Sequence, residues 1–142
     1  MAVRAVIDTN VLVSGILVAE EPPRQVLDAW LDGRFTLVTS PYQLEEVTHV
    51  LAYPRIAERI RLKPAELATI LSGLMTLAVV TPGQLQRPGV TRDPKDDAIV
   101  ACAEEGEADY IVSGDLDLLS LGETRGIRAL TPRQFLELIA QP

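Results

Sequence analysis

The segment Val3-Arg-Ala-Val-Ile7, followed directly by Asp8-Thr-Asn10, is a mainly β-branched and apolar run that ends in a carboxylate. β-Branched residues favour strands, so this run predicts a first strand that stops at Asp8. Thr9 or Asn10 is placed to cap a helix over residues 9–18, where apolar positions recur at helical spacing. A strand that passes straight into a helix is the unit from which α/β proteins are built.

Short strands and helices alternate along the rest of the chain in the same way. Further strands are predicted at 35–38, 77–80, 110–112 and 127–130. Further helices are predicted at 22–30, 40–52, 55–63, 64–75 and 93–106, and a last one starts after Thr131. Residues 81–92 are rich in proline and glycine and form a loop that is too short to separate two domains. The pattern predicts a single domain over residues 1–142, a three-layer α/β/α sandwich with a mostly parallel central sheet.

The composition fits a globular protein with a substantial core. The chain has 142 residues, of which 47% are hydrophobic, and this excludes a disordered protein. Cys102 is the only cysteine and His49 the only histidine, so an intrachain disulfide and a Cys/His zinc site are excluded. We therefore expect a cytoplasmic protein, with neither a signal peptide nor an apolar run long enough to span a membrane.

The net charge limits the kinds of site that the chain can carry. Its 20 acidic and 13 basic residues give a net charge of -7, which argues against a broad basic groove for nucleic acid. A compact acidic site remains compatible with this charge, because bound divalent cations reverse the local sign and let a phosphate approach.

Acidic residues cluster where strands are predicted to end. Asp8 follows the first strand and Asp115 follows a later one, and ligands of open parallel sheets bind beyond such carboxyl ends. Asp93, Asp96 and Asp97 open the helix after the loop, so three acidic groups are expected at one edge of the fold. Each acid also has a purely structural interpretation as a helix N-cap or a solvated turn residue, and Asp93, which precedes a proline, is expected to be a cap.

The helix predicted at 40–52 offers a further carboxylate. Its apolar positions are Leu44, Val47, Val50 and Leu51. At about 100° per residue, Glu46 falls at the flank of that apolar face, whereas Glu45 turns toward solvent. Glu46 is therefore the better candidate for a site that borders the core, and Glu45 is interpreted as a surface residue.

Several unpaired carboxylates at one edge repel one another unless a cation neutralises them. Oxygen ligands without histidine or cysteine suit Mg²⁺ or Mn²⁺. Such a site lowers the pKa of bound water and stabilises the charge of an in-line phosphoryl transfer. The acids therefore predict hydrolysis of a phosphodiester or a phosphomonoester.

Four acidic motifs of the chain resemble those of a known family. They are Val6-Ile-Asp8-Thr-Asn10-Val-Leu12, Leu44-Glu-Glu-Val47, Asp97-Ala-Ile-Val-Ala-Cys-Ala103 and Ile111-Val-Ser-Gly-Asp115-Leu-Asp117-Leu-Leu119. In order and spacing, they resemble the motifs of PIN-domain nucleases, and most closely those of VapC-like toxins of bacterial and archaeal toxin–antitoxin systems. The resemblance covers almost the whole chain, including its length and the segment Leu130-Thr-Pro-Arg-Gln-Phe135.

The resemblance implies a PIN-like fold and a Mg²⁺- or Mn²⁺-dependent endoribonuclease, in which water attacks the phosphate without a covalent enzyme intermediate. The catalytic acids that it implies are Asp8, Glu46, Asp97 and Asp115. The metal ligands that it implies are Asp8, Glu46, Asp96 or Asp97, Asp115 and Asp117. Asn10 and Ser113 match residues that support the acids. The third motif can be aligned on either aspartate of its pair, and the hydrophobic residues that follow favour Asp97.

The resemblance also implies an RNA substrate, a homodimer and a cognate antitoxin protein. No residue pattern of the chain itself indicates the dimer or the antitoxin. One basic group could contact RNA phosphates, and it consists of Arg55, Arg59, Arg61 and Lys63. The same residues are equally well explained as the solvated face of the helix predicted at 55–63.

Two other functions compete with a ribonuclease. A Mg²⁺-dependent small-molecule phosphatase of the haloacid dehalogenase type requires a second aspartate two residues after the first. Asn10 occupies that position and cannot transfer the proton. A catalytically inactive PIN-like binding module is expected to lose some of the acids, whereas this chain has a candidate at every position.

Overall fold

A single six-stranded sheet forms the centre of residues 2–140, the part of the chain that this computed structural model describes. Its strands are β1 Arg4–Ile7, β2 Thr36–Thr39, β3 Val79–Val80, β4 Tyr110–Val112, β5 Glu123–Thr124 and β6 Ile127–Leu130. Their order across the sheet is β3-β2-β1-β4-β6-β5, and neighbouring strands are parallel except for β5 and β6. The carboxyl ends of β1 and β4 therefore lie side by side near the middle of the sheet.

Helices connect these strands along the described part of the chain. They are α1 Thr9–Leu17, α2 Pro22–Leu31, α3 Pro41–Leu51, α4 Pro54–Ala57, α5 Pro64–Thr76, α6 Pro94–Glu105, α7 Leu116–Leu119 and α8 Pro132–Ile139. Ser40 and Thr131 accept hydrogen bonds from the backbone N–H groups of Gln43 and Gln134 and so cap α3 and α8. Within residues 2–140, no helix has the length and apolarity needed to cross a membrane.

Alternate side chains of the central strand β1 pack into two different cores. Ala5 and Ile7 belong to a cluster that includes Trp30 of α2 and Phe135 of α8. Val6 points to the opposite face and packs in a cluster with residues of α6 and α7. A mostly parallel sheet covered by helices on both faces is the α/β/α sandwich that the sequence predicts, so the predicted fold is confirmed.

The helix predicted at 55–63 is wrong. α4 is a single turn, and the chain then runs in turns and bends until Pro64 opens α5. Ile60 and Leu62 both pack against the larger core, whereas residues two apart on a helix point about 200° away from each other. Pro64 also favours an extended residue before it, and Lys63 has φ -62° and ψ 148°.

The sheet differs from the prediction at its two edges. The strand predicted at 77–80 is limited to its last two residues, because Leu77 ends the final turn of α5 and its N–H donates to the Gly73 carbonyl at 2.7 Å. The sequence-based prediction also lacks β5, which pairs with β6 through a tight turn. Arg125 and Gly126 both have positive φ in this turn, as in type I′ hairpins, and two-residue strands show no periodicity that would reveal them.

Candidate active site

Asp8 ends β1 at the carboxyl edge of the sheet and is 6% exposed. Its N–H donates to the Val112 carbonyl at 2.9 Å, which joins the ends of β1 and β4. The Asp8 carboxylate makes no capping hydrogen bond to α1. The Ser113 hydroxyl donates to it at 2.8 Å and holds the side chain against the end of β4.

The Asp8 carboxylate is surrounded by other acids. Burial raises its pKa, the hydrogen bond from Ser113 opposes this, and the charges of Asp115 and Glu46 raise the pKa further. The net shift is upward, as expected for a buried carboxylate among groups of the same charge.

Ser113 links the carboxyl ends of β1 and β4. It is fully buried, and its hydroxyl donates to Asp8 and accepts from the Asp115 N–H at 2.9 Å. Asp115 then caps α7, because its Oδ1 accepts from the Asp117 N–H at 2.8 Å. These bonds fix the backbone that carries Asp115 and Asp117. The second carboxylate oxygen of Asp115 takes no part in the cap.

Asp96, Asp115 and Asp117 bring carboxylate oxygens into one small volume, where these atoms lie within 4.8 Å of one another. Asp96 reaches this volume from the first turn of α6 and is only 6% exposed. Its Oδ2 is buried and has no hydrogen-bond partner among residues 2–140. Burial, together with the charges of Asp115 and Asp8, raises the pKa of Asp96 to about 6. A cation would stabilise this arrangement.

Asp97 points away from these acids and toward the loop at residues 81–92. Its carboxylate accepts hydrogen bonds from the Thr91 N–H at 2.6 Å, the Thr91 hydroxyl at 2.9 Å and the Gly89 N–H at 3.0 Å. Burial alone would raise the pKa of Asp97, but these hydrogen bonds outweigh burial and leave the pKa lowered. The structure thus separates the two aspartates of the ambiguous motif, since Asp96 joins the acids and Asp97 holds a loop.

Glu46 approaches the acids from α3, and its side chain is 20% exposed. Its charge contributes to the raised pKa of Asp8, so the two carboxylates are electrostatic neighbours. Lys95, in the first turn of α6, places its ammonium 4.0 Å from Glu46 Oε2 while its own side chain stays 68% exposed. The rim of the acidic cluster therefore has a carboxylate and an exposed positive charge side by side.

Gln43 supports the site and is absent from the sequence-based prediction, as is Lys95. Gln43 is buried on α3, donates from Nε2 to the Ile7 carbonyl and accepts from the Thr39 hydroxyl at 2.7 Å. These bonds tie α3, which carries Glu46, to the ends of β1 and β2. The sequence contains a signal for this role, since a polar residue four positions before Val47 shares the core-facing side of α3.

The remaining residues singled out from the sequence lie outside the cluster. Asp93 accepts from the Lys95 N–H at 2.9 Å, so the predicted cap of α6 is confirmed. Asn10 is exposed in the first turn of α1. The basic residues that follow α3 are all exposed and do not share one helix; they are Arg55, Arg59, Arg61 and Lys63.

A known family has acids in this order along a fold of this kind. The sequence profile of the PIN domain matches residues 4–117, a span that contains the whole acidic cluster. The chain belongs to the PIN-domain family. PIN domains are generally nucleases and typically bind divalent metal ions, so this PIN domain is of the nuclease type.

Two other proteins resemble this PIN domain over 90% or more of their own lengths, one in sequence and one in fold. An uncharacterised protein of Methanocaldococcus jannaschii is 26% identical over 143 residues, which cover 95% of this chain and 90% of that protein. A crystal structure of a Pyrobaculum aerophilum protein superimposes with a TM-score of 0.62 at 19% identity and covers all of both chains. At this identity the structural likeness shows the fold alone, so the activity has to be argued from the site itself.

Proposed function

We propose that this PIN domain is a Mg²⁺- or Mn²⁺-dependent endoribonuclease that hydrolyses RNA phosphodiester bonds as the toxin of a toxin–antitoxin pair. The observation that carries the proposal is the Asp96 carboxylate, which clusters with Asp115 and Asp117 and whose buried Oδ2 has no hydrogen-bond partner within residues 2–140. A purely structural role would give this carboxylate partners, as the loop does for Asp97.

The donor set fits a hard divalent cation. It contains only carboxylate oxygens, which suit Mg²⁺ and Mn²⁺ better than zinc. When bound, such a cation favours the ionisation of water and offsets the negative charge of a phosphate. Asp96 replaces Asp97 as the preferred ligand in this proposal, because the Asp97 carboxylate is already engaged by the loop. The carboxylates proposed to hold the cation are Asp8, Asp96, Asp115 and Asp117.

Each protein group has a role that follows from its contacts. Ser113 fixes the orientation of Asp8 by donating to its carboxylate. In the proposed reaction, Glu46 at the rim accepts a proton from the attacking water. Lys95, exposed beside it, binds a phosphate oxygen of RNA, and its position next to the acids supports this role. A water oxygen bonds to phosphorus, the bond from phosphorus to the leaving oxygen breaks, and that oxygen takes up a proton, without any covalent bond to the protein.

The proposed partners are RNA, a cognate antitoxin and a second copy of the chain, and the proposed location is the cytoplasm. A net charge of -7 gives little general attraction for RNA, so individual basic residues near the acids carry more weight. Lys95 is the first of them. Further candidates for phosphate contacts are Arg55, Arg59, Arg61 and Lys63.

A ribonuclease assay on single-stranded RNA tests the activity, in Mg²⁺, in Mn²⁺ and in EDTA. The wild type is expected to cleave only with metal present. Asp96→Asn is expected to slow cleavage by about 100-fold or more, whereas Asp97→Asn, the matched neighbour, keeps the metal-dependent activity while it remains folded. Cleavage that continues in EDTA, or that survives Asp96→Asn but not Asp97→Asn, would contradict the proposed site.

Two further measurements separate the proposal from its competitors. Hydrolysis of p-nitrophenyl phosphate without RNA cleavage would identify a small-molecule phosphatase, and RNA binding without cleavage would identify an inactive module. For the toxin role, induced expression in a bacterial host is expected to stop growth with the wild type and not with Asp96→Asn. Equal growth of both strains at equal protein levels would remove the toxin assignment.

A further inference from the structure

A cavity lies beneath the loop at residues 81–92, on the side of α6 that carries Asp97 and not Asp96. Its volume is about 460 Å³, within the range of about 300–1,000 Å³ that is usual for small-molecule sites. Its walls come from the loop, the first turn of α3 and one face of α6. We refer to it as the loop cavity.

Carboxylates of α6 hold the roof of the loop cavity in place. Asp97 accepts from the loop at one end, as described above. Glu105 accepts from the backbone N–H groups of residues 83–85 at 2.8–3.1 Å at the other end. Between them, the Arg87 guanidinium donates to the Glu104 carboxylate at 2.7 Å through two nitrogens. The roof is therefore a hydrogen-bonded framework attached to the helix below it.

A buried hydroxyl of the lining lacks a hydrogen-bond partner. Thr81 lines the loop cavity and is 4% exposed, and its Oγ1 makes no hydrogen bond of ordinary geometry within residues 2–140. Because this oxygen is closed to solvent, it offers no polar contact to a ligand in the cavity, whose exposed lining is mostly apolar.

The lining selects a neutral ligand with an apolar body. Most of its surface is apolar, contributed by residues such as Leu85, Pro88, Ala98 and Ala101. Asp97 and Glu105 are carboxylates, and the Arg87 charge is already matched by Glu104. A phosphate or a carboxylate is therefore disfavoured, whereas a ring that donates from N–H groups is favoured.

Tyr42 completes the cavity at its mouth. It lines the cavity and is 49% exposed, so its ring is available to stack on another ring. Tyr42 lies four residues before Glu46 on α3, about 6 Å along the helix axis and on the same side. A nucleotide whose base enters the loop cavity would thus keep its backbone beside the acidic cluster.

We propose that the loop cavity binds a nucleobase, a neutral planar heterocycle with N–H donors, which belongs either to an RNA strand or to a free nucleoside. The RNA case deepens the proposed ribonuclease function and rests on it. Base binding itself does not depend on that function, because the lining of the cavity contains none of the clustered acids Asp96, Asp115 and Asp117.

Titration with nucleosides in EDTA tests the proposal without metal or catalysis. The probes are adenosine, guanosine, cytidine and uridine, the control is ribose 5-phosphate, and the readout is the amide spectrum of ¹⁵N-labelled protein. At least one nucleoside is expected to shift amides of the loop and of the adjoining face of α6 saturably, and the sugar phosphate is not. The proposal is overturned if no nucleoside binds, if ribose 5-phosphate gives the same shifts, or if the shifts centre on Asp8 and Asp115.

Variants of the lining provide a second test. Ala98→Phe fills the cavity and is expected to abolish nucleoside binding. Tyr42→Ala removes the exposed ring at the mouth of the cavity, and it is expected to weaken binding about fivefold or more. Ala68→Phe, on the exposed side of α5, is the matched control and is expected to bind like the wild type. Unchanged affinity in both lining variants would overturn the proposal, even where one of them is partly unfolded.

Short RNA distinguishes the two sources of the base. A trinucleotide that shifts the same amides and binds at least about tenfold more tightly than the nucleoside assigns the cavity to RNA, since the backbone then adds contacts. Equal affinity assigns it to a free nucleoside. A failure of RNA cleavage would leave the nucleoside titration unaffected, so the two proposals can fail separately.

Discussion

Substitution by asparagine should change the free energy of unfolding in opposite directions at the neighbouring residues Asp96 and Asp97. The pKa of Asp96 is raised from 3.8 to about 6 by burial and by the charges of Asp115 and Asp8. That shift corresponds to about 3 kcal/mol, and solvent screening reduces the expected effect to about 1–2 kcal/mol. Asp96→Asn removes the repelled charge and is therefore expected to stabilise the metal-free protein by this smaller amount near neutral pH.

The effect of Asp96→Asn should depend on pH with a definite sign. The folded-state pKa of Asp96 lies above its unfolded value, so the folded wild type binds more protons than the unfolded chain between about pH 4 and pH 6. The contribution of Asp96 to the free energy of unfolding falls as pH rises through this window. The stabilisation of Asp96→Asn relative to the wild type therefore grows as pH rises through the same window, and it disappears below about pH 4.

Asp97→Asn is the matched control and should destabilise the protein. The Asp97 carboxylate accepts two hydrogen bonds from Thr91 and one from Gly89. An asparagine at this position would place its NH₂ group, which cannot accept, against at least one of these N–H or O–H groups. Loss of a hydrogen bond to a charged group costs about 1.5–3 kcal/mol. Because the pKa of Asp97 is lowered in the fold, its contribution is present above the unfolded pKa and is lost as pH falls through the folded value.

Urea unfolding of the three proteins measures both effects, in EDTA at about pH 7.5 and about pH 4.5 and then with Mn²⁺. At a tenfold excess over Kd, the metal should stabilise the wild type and Asp97→Asn by about 1.4 kcal/mol, and Asp96→Asn by much less. The reasoning is refuted if Asp96→Asn destabilises the protein in EDTA, or if Asp97→Asn is the variant that loses the stabilisation by metal.

Three further outcomes follow from the contacts around the site. Gln43→Leu should lower the free energy of unfolding by about 1–3 kcal/mol, because the Ile7 carbonyl loses its buried donor, and urea unfolding would show it. Ser113→Ala should weaken Mn²⁺ binding by about tenfold or more, since Asp8 loses the group that orients it, and calorimetry would show no change if this role is absent. Burial alone would raise the pKa of Glu105, but its hydrogen bonds from the loop backbone outweigh burial and lower it, so the stability that it contributes should be lost as pH falls below its ordinary range. Glu105→Gln should then show a flatter dependence of melting temperature on acid pH, and an unchanged slope would contradict this.

The parts of the fold that the sequence predicts are those whose signals are local. β1 and β4 are apolar runs that end at Asp8 and just before Asp115, and the acids at these ends are predictable for the same reason. The segment after α4 is not predictable from local signals, because Ile60 and Leu62 pack against a core formed by residues distant in the sequence. The role of Gln43 depends in the same way on the packing of α3 against the strand ends.

The choice between Asp96 and Asp97 depends on the face of α6 that each residue occupies. Alignment of the motif compares neighbours along the chain, whereas a helix sorts its residues by face at about 3.6 per turn. Residues three, four and seven positions after Asp96 pack against the sheet, and they are Ile99, Val100 and Ala103. Residues four and eight positions after Asp97 border the loop cavity, and they are Ala101 and Glu105. An acid on the sheet-facing side of the first turn of α6 has to project at the carboxyl edge of the sheet, where Asp8 and Asp115 stand. The packing of α6 therefore places Asp96 among the acids, and the sequence alone does not show this, because residues 98–103 are an unbroken apolar run without a helical period.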